Sequence, residues 1–231
     1  MPNNYISQIR SGYSGPLDPY FAQVSALLKM DSTPFADVKG HTVDVLNVGF
    51  TTINTNYGGS AVFNGIDSSI RIPAAADLVM GTGDFTQEIY VKLAAYPASQ
   101  GIIFTNAPPS GVENANNSLG INIMAGGNVR VQSSYAVFIT GSTVLPLNNE
   151  IHLAISRVSG TMRLFVNGVL DGSVASAHDF SLLSQVMIGK EAYNSNNVGA
   201  SLNGWVDEFR ITKGVGRYVN NFAVPGAFPP A

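Results

Sequence analysis

The sequence predicts an all-β protein: two antiparallel sheets packed face to face as a jelly roll, preceded by a short N-terminal arm. Apolar residues recur with period two along most of the 231 residues, and Gly, Asn, Ser and Pro break these runs into short lengths. No segment longer than about three turns holds a helical period. Short strands in this number, with no helices between them, fit a two-layer β architecture.

Taken in chain order, residues 1–17 are a polar, turn-rich arm in which Tyr5, Ile6, Ile9 and Tyr13 have the apolar area to bury. An arm of this composition does not order itself, so these four are the expected anchors to a neighbouring subunit. Residues 18–225 are the expected sandwich and 226–231 a short tail. Strands are expected at 24–30, 42–48, 60–63 and 69–72, followed by a helical turn near 74–79. Further strands are expected at 85–93, 101–105, 119–124, 128–132 and 136–140. In the next, 150–158, strict alternation places Ile151, Leu153 and Ile155 toward the core and His152, Ala154 and Ser156 on the opposite face. Ser159-Gly160 and Asn167-Gly168 are hairpin turns linking 150–158, 161–166 and 169–175. The last strands are 185–189 and 202–211. In the latter, Trp205, Val206, Phe209 and Ile211 fall out of alternation around Asp207 and Glu208, the mark of a β-bulge.

Charged residues make up 12% of the chain, about half the usual share of roughly 25%. The surface is therefore neutral and polar, suited to a subunit embedded in an assembly or to a protein offering amides and hydroxyls to a neutral sugar. The net charge is −3 with no basic run, which leaves no footprint for nucleic acid. Cysteine is absent, which removes disulfides and thiolate metal sites. The opening residues lack the apolar core of a signal peptide, and no run is long enough to span a bilayer. The expectation is a protein made and used in the cytoplasm, without membrane insertion.

The stretch NGWVDEFRITKGVGRYVNNFAVP, 203–225, closely resembles the closing strand and C-terminal turn of laminin-G-like, concanavalin A-like jelly-roll domains of bacteriophage virion proteins. DPYFAQVSALLKMD (18–31), YGGSAVFNGIDSSIRIP (57–73), DFTQEIYVKL (84–93) and EIHLAISRVSGTMRLFVNGVLDGS (150–173) resemble the family's other signatures, in its order and at about its spacing. Asn64 stands where an Asp is usual and Tyr90 where a Trp is usual, departures that bear on a polar site rather than on the core. The resemblance implies a lectin-like sandwich in a virion structural protein, assembled in the host cytoplasm among other virion subunits. A receptor-binding adhesin for a host-surface glycan is the alternative. It also implies a structural imidazole at His152.

The fold implied by the resemblance also hosts glycoside hydrolases, which need two carboxyls about 5 Å or roughly 6.5–9.5 Å apart flanking the scissile bond. The one close acidic pair within a strand is Asp207 and Glu208, which as neighbours are expected to point to opposite faces. Asp207 is expected to satisfy backbone groups or Arg210. His41, His152 and His178 have no zinc spacing, and no phosphate loop or nucleophile elbow is present. The chain is therefore expected not to be an enzyme. Glycan contacts are expected from two loops, through Asn114, Asn116 and Asn117 in one and Tyr193, Asn196 and Asn197 in the other, because amides donate to and accept from hydroxyls. Glu113 and Glu191 are the acids available there, too few for calcium, so no cofactor or metal is expected.

Overall fold

The structure, a computed structural model, describes residues 17–53, 55–107, 118–133, 136–190 and 201–229. The anchors Tyr5, Ile6, Ile9 and Tyr13 lie outside the described residues, as do Asn114, Asn116, Asn117, Tyr193, Asn196 and Asn197. Among the described residues, fifteen strands form two antiparallel sheets, and helix is limited to two 3-10 turns, Phe21–Gln23 and Ala76–Leu78. None of these is long and apolar enough to cross a membrane.

The strands are β1 (Val24–Leu28), β2 (Asp44–Leu46), β3 (Gly49–Thr51), β4 (Ser60–Asn64), β5 (Ser69–Ala75), β6 (Phe85–Leu93), β7 (Gln100–Ala107) and β8 (Leu119–Met124). They continue as β9 (Asn128–Gln132), β10 (Val137–Val144), β11 (Glu150–Val158), β12 (Thr161–Val166), β13 (Val169–Ala175), β14 (Ser184–Ile188) and β15 (Asn203–Lys213). The larger sheet runs β13-β12-β11-β6-β15-β4-β3, with β1 also paired to β15. The smaller runs β10-β9-β8-β7-β14-β5-β2.

The core lies between the sheets. Ile151, Leu153 and Ile155 enter it from β11, with Ile89 and Val91 from β6 and Phe209 and Ile211 from β15. Phe104, Ile121, Val186 and Ile188 meet them from the smaller sheet, and the Phe104 and Phe209 rings pack edge to face at 5.2 Å.

Both predicted hairpin turns hold two consecutive positive φ values, 49° and 73° at Ser159-Gly160 and 48° and 74° at Asn167-Gly168. That geometry matches the right-handed twist of the strands they join. The surroundings differ. A Cβ at Gly160 meets open space, whereas one at Gly168 falls 2.1 Å from the Phe222 carbonyl oxygen. Gly160→Ala is expected to cost about 1 kcal/mol, for the left-handed conformation alone. Gly168→Ala is expected to cost a further 1–3 kcal/mol or so for the clash, a difference that urea unfolding of the two variants measures.

The predicted bulge is present in β15. Asp207 pairs with Tyr90 and Arg210 with Glu88, so Glu208 and Phe209 together oppose Ile89, and Glu208 takes φ 48°. The extra residue keeps Phe209 and Ile211 in the core and turns Asp207, Glu208 and Arg210 all to the outer face of the larger sheet. The expectation that Asp207 and Glu208 point to opposite faces is corrected by this geometry: alternation fails where one residue is unpaired.

The chain after β15 then covers that outer face. It crosses toward the β12–β13 turn and returns. The Arg217 N–H donates to Thr86 Oγ1 (2.8 Å), the Tyr218 N–H to Ser156 Oγ (3.2 Å) and the Phe222 N–H to the Gly168 carbonyl (2.9 Å). On the return, the Phe228 N–H donates to Glu208 Oε2 (2.8 Å). Phe228, from the segment set apart as a tail, is fully buried with Val24, Leu27 and Tyr90 in a second apolar cluster. His152, Ala154 and Ser156 do lie opposite the inter-sheet core, and this strap buries them too.

Candidate functional site

The strap divides the outer face into a part that it covers and an open one. In the covered part, alternate positions of β6 and β15 set Glu88 against Arg210, whose Nε and Nη2 reach Glu88 Oε1 at 3.0 and 2.8 Å. His152 Nε2 lies 3.1 Å from Glu88 Oε2, to which the Tyr218 hydroxyl also donates at 2.8 Å. Asp18 binds both Arg210 and Arg217. Burial alone would raise the Glu88 carboxyl, but the Arg210 guanidinium and the His152 contact hold it down at about 2. Asp18, Glu88, His152 and Arg210 are buried and Arg217 and Tyr218 partly so, and Tyr90, Tyr218, Phe222 and Phe228 surround the His152 ring. This network locks the strap to the sheet.

The open part is a depression lined by Thr55, Ser60, Tyr90, Lys92, Glu150, Trp205 and Asp207. Its side chains come from outward positions of four strands: Ser60 on β4, Tyr90 and Lys92 on β6, Glu150 on β11, and Trp205 and Asp207 on β15. Trp205, the sole tryptophan of the chain, is half-buried, and the Lys92 ammonium lies 5.1 Å from its ring centroid. Glu150 accepts a hydrogen bond from Asn56 Nδ2 at 2.6 Å. The depression thus brings an indole, an ammonium, carboxylates and hydroxyls together on a rigid sheet.

At its inner wall stands an acidic group. Asp31, just after β1, brings a carboxylate oxygen within 4.8 Å of those of Asp207 and Glu208. Glu208 pairs with Lys29 Nζ at 2.6 Å. Of the two partners expected of Asp207, a backbone group is present in the Glu208 N–H; Arg210 is not, because it is engaged by Glu88 and Asp18. The Ser60 hydroxyl lies 3.5 Å from Asp207 Oδ2. Burial, then the charge of Glu208, pushes the Asp207 carboxyl up to about 8. Burial raises Glu208 to about 7 against the pull of Lys29.

The family profile of Laminin_G_3, the concanavalin A-like lectin/glucanases superfamily, matches residues 64–215. The chain belongs to this superfamily. Comparison with curated protein sequences finds no match. Among solved structures, domain 4 of AbnA, a GH43 extracellular arabinanase from Geobacillus stearothermophilus, in complex with arabinotriose, is 20% identical with a TM-score of 0.63, over 83% of this chain and 93% of that one. Trypanosoma rangeli sialidase in complex with 2,3-difluorosialic acid is 14% identical with a TM-score of 0.64, over 92% of this chain and 33% of that one. This chain therefore spans about a third of the sialidase. The binding domain of botulinum neurotoxin serotype D/C is 11% identical with a TM-score of 0.60, over 84% of this chain and 49% of that one. At these identities the likeness is one of fold.

Within this lectin/glucanase-type sandwich, one carboxylate oxygen each of Asp207 and Glu208 lie within 4.8 Å of one another, in the range of the about 5 Å separation used by retaining glycosidases. Their access does not fit that chemistry. Glu208 is fully buried beneath Lys29 and Phe228, with no approach for a glycosidic oxygen.

The two predicted glycan loops belong to the connections 108–117 and 191–200. The described strand ends that flank them stand apart: Ala107 pairs with Gln185 at the start of β14, whereas 191–200 follows the end of β14. The sequence reading missed the depression because its residues are scattered from Thr55 to Asp207, each in an ordinary outward position. One signal was present, the only tryptophan at an outward position next to the expected bulge.

Proposed function

We propose that the chain is a non-enzymatic component of a bacteriophage particle that recognises a hydroxyl-rich saccharide of the host surface through the depression around Trp205. The observation that carries glycan recognition is the half-exposed indole set between Lys92, Glu150 and Asp207 on a sheet rather than on loops. An apolar ring face with a few convergent polar groups is the usual make-up of a small-ligand site, and strands hold such groups more rigidly than loops do. The arabinotriose complex of the AbnA domain, which shares this fold, supports the ligand class. The absence of catalysis is supported by the enclosure of Glu208. The particle setting rests on the resemblance of 203–225 and the other four signatures to phage virion domains, with Tyr5, Ile6, Ile9 and Tyr13 as the docking contacts to neighbouring subunits.

A panel of bacterial surface saccharides tests the site. The intact chain is expected to bind one of them saturably without releasing reducing ends. Trp205→Ala is expected to weaken that binding by about tenfold or more, as for a central aromatic contact. Unchanged binding by Trp205→Ala would reject the depression, and saccharide turnover by the intact chain would reject the non-enzymatic assignment.

A further inference from the structure

The strap and the entry of the chain leave a groove between them. Pro19, Pro225 and Pro229 line it with Leu17, Tyr218 and Ala227, around a volume of about 440 Å³, within the range of roughly 300–1,000 Å³ that holds a ligand. Its walls are stiff. Proline fixes φ, and the Tyr218 ring is stacked on Phe222 with centroids 3.6 Å apart. The charged groups that reach the groove are already paired: Asp18 accepts from Arg210 Nη1 at 3.0 Å and from Arg217 Nη1 and Nη2 at 2.9 and 2.7 Å, while Arg217 Nε donates to Thr212 Oγ1 at 2.8 Å. The groove therefore suits apolar side chains rather than a charged or hydroxyl-rich ligand. Leu17 on its wall is 53% exposed, which leaves apolar surface uncovered at the point where residues 1–16 join the sandwich.

We propose that this groove is the acceptor for residues 1–16 of a second copy of the chain, so that the neighbouring subunit met by Tyr5, Ile6, Ile9 and Tyr13 is another copy of the same protein. The inference rests on the reading of those four residues as contacts to neighbouring subunits. Donor and acceptor meet at one place, because the arm joins the sandwich at Leu17, in the groove wall itself. Twelve residues separate Tyr5 from Leu17, a reach of about 40 Å when extended. The arm of one copy can therefore enter the groove of a copy that abuts it. The chemistry matches: a polar segment with a few apolar anchors gains its order only on binding, and a stiff acceptor lowers the cost of that ordering. Each copy offers one arm and one groove side by side. Two copies then satisfy both by reciprocal exchange about a twofold axis, the commonest closed symmetry of homo-oligomers.

The test uses the full chain, whose lack of cysteine makes an engineered pair unambiguous. In the double variant Ile9→Cys, Ala227→Cys, mild oxidation is expected to give covalent dimers linked between positions 9 and 227, located by mass spectrometry of the peptides. Ile9→Cys combined with Val144→Cys, at an exposed site on the smaller sheet, is expected to give no such link. Light scattering is expected to give twice the mass of one chain for the wild type. Leu17→Asp, at an exposed position of the groove, and the full-length variant with Tyr5, Ile6, Ile9 and Tyr13 all changed to Ser are each expected to fall to the mass of one chain. A link between 9 and 227 inside a monomer would put the chain's own arm in the groove and overturn the proposal, as would equal linking at 144. A wild type of single-chain mass whose Ser variant fails to enter particles would overturn the groove as acceptor and leave the docking role of the arm standing. Dimers linked through 9 and 227 whose Ser variant still enters particles would keep the groove and reject that role.

Discussion

Glu88→Gln is expected to lower the free energy of unfolding by about 3–5 kcal/mol, the cost of breaking a buried ion pair by removing one partner. Glu88 and Arg210 are both buried, and the carboxylate also meets His152 and Tyr218. The substitution keeps the shape but leaves Arg210 with Asp18 as its one remaining carboxylate. The pH dependence has a definite sign. The folded carboxyl sits at about 2, below its ordinary 4.5. The folded state therefore holds fewer protons than the unfolded one between these values, so this contribution is fully present above pH 4.5 and lost as the pH falls toward 2. Denaturant titrations across that window should show a steep acid limb in the wild type and a shallower one in Glu88→Gln. Equal slopes would mean that Glu88 is not ionised in the native network.

Phe228→Ala is expected to cost about 3–5 kcal/mol, the range for emptying a buried aromatic site. The ring is fully buried, lies 5.6 Å from Tyr90 between centroids, and has the Arg210 guanidinium 4.1 Å from its centre. Its loss opens the strap where the chain returns to the bulge. The strap's amides 217, 218 and 222, which bond Thr86, Ser156 and Gly168, should therefore exchange faster with solvent in the variant. A loss under about 0.5 kcal/mol, the range of surface substitutions, with unchanged exchange would show that the strap is not fastened there.

Alternation in 150–158 made the facing of the β11 side chains readable, because a two-residue period fixes which of them turn to the core. The bulge was readable from one break in that pattern, and the two hairpins from Ser-Gly and Asn-Gly. Strand β3, Gly49–Thr51, was missed because three residues opening on glycine show no period. The strap was missed for a different reason. Residues 214–229 carry no repeat, and their docking depends on single matches such as Phe228 over Tyr90. For that reason alternation placed His152, Ala154 and Ser156 opposite the core without revealing that this face is buried. The open depression and the acidic group share this character: their residues converge only through the strand order β4-β15-β6-β11, which no local pattern encodes.

The central claim is that the depression around Trp205 is the saccharide site, and the chain offers a direct reporter because Trp205 is its only tryptophan. Intrinsic fluorescence during titration with the panel saccharide that binds best should show a saturable change in intensity and wavelength, with a midpoint equal to the affinity measured by direct binding. Saturable binding by direct measurement with no change in the Trp205 emission would place the saccharide elsewhere and contradict the claim.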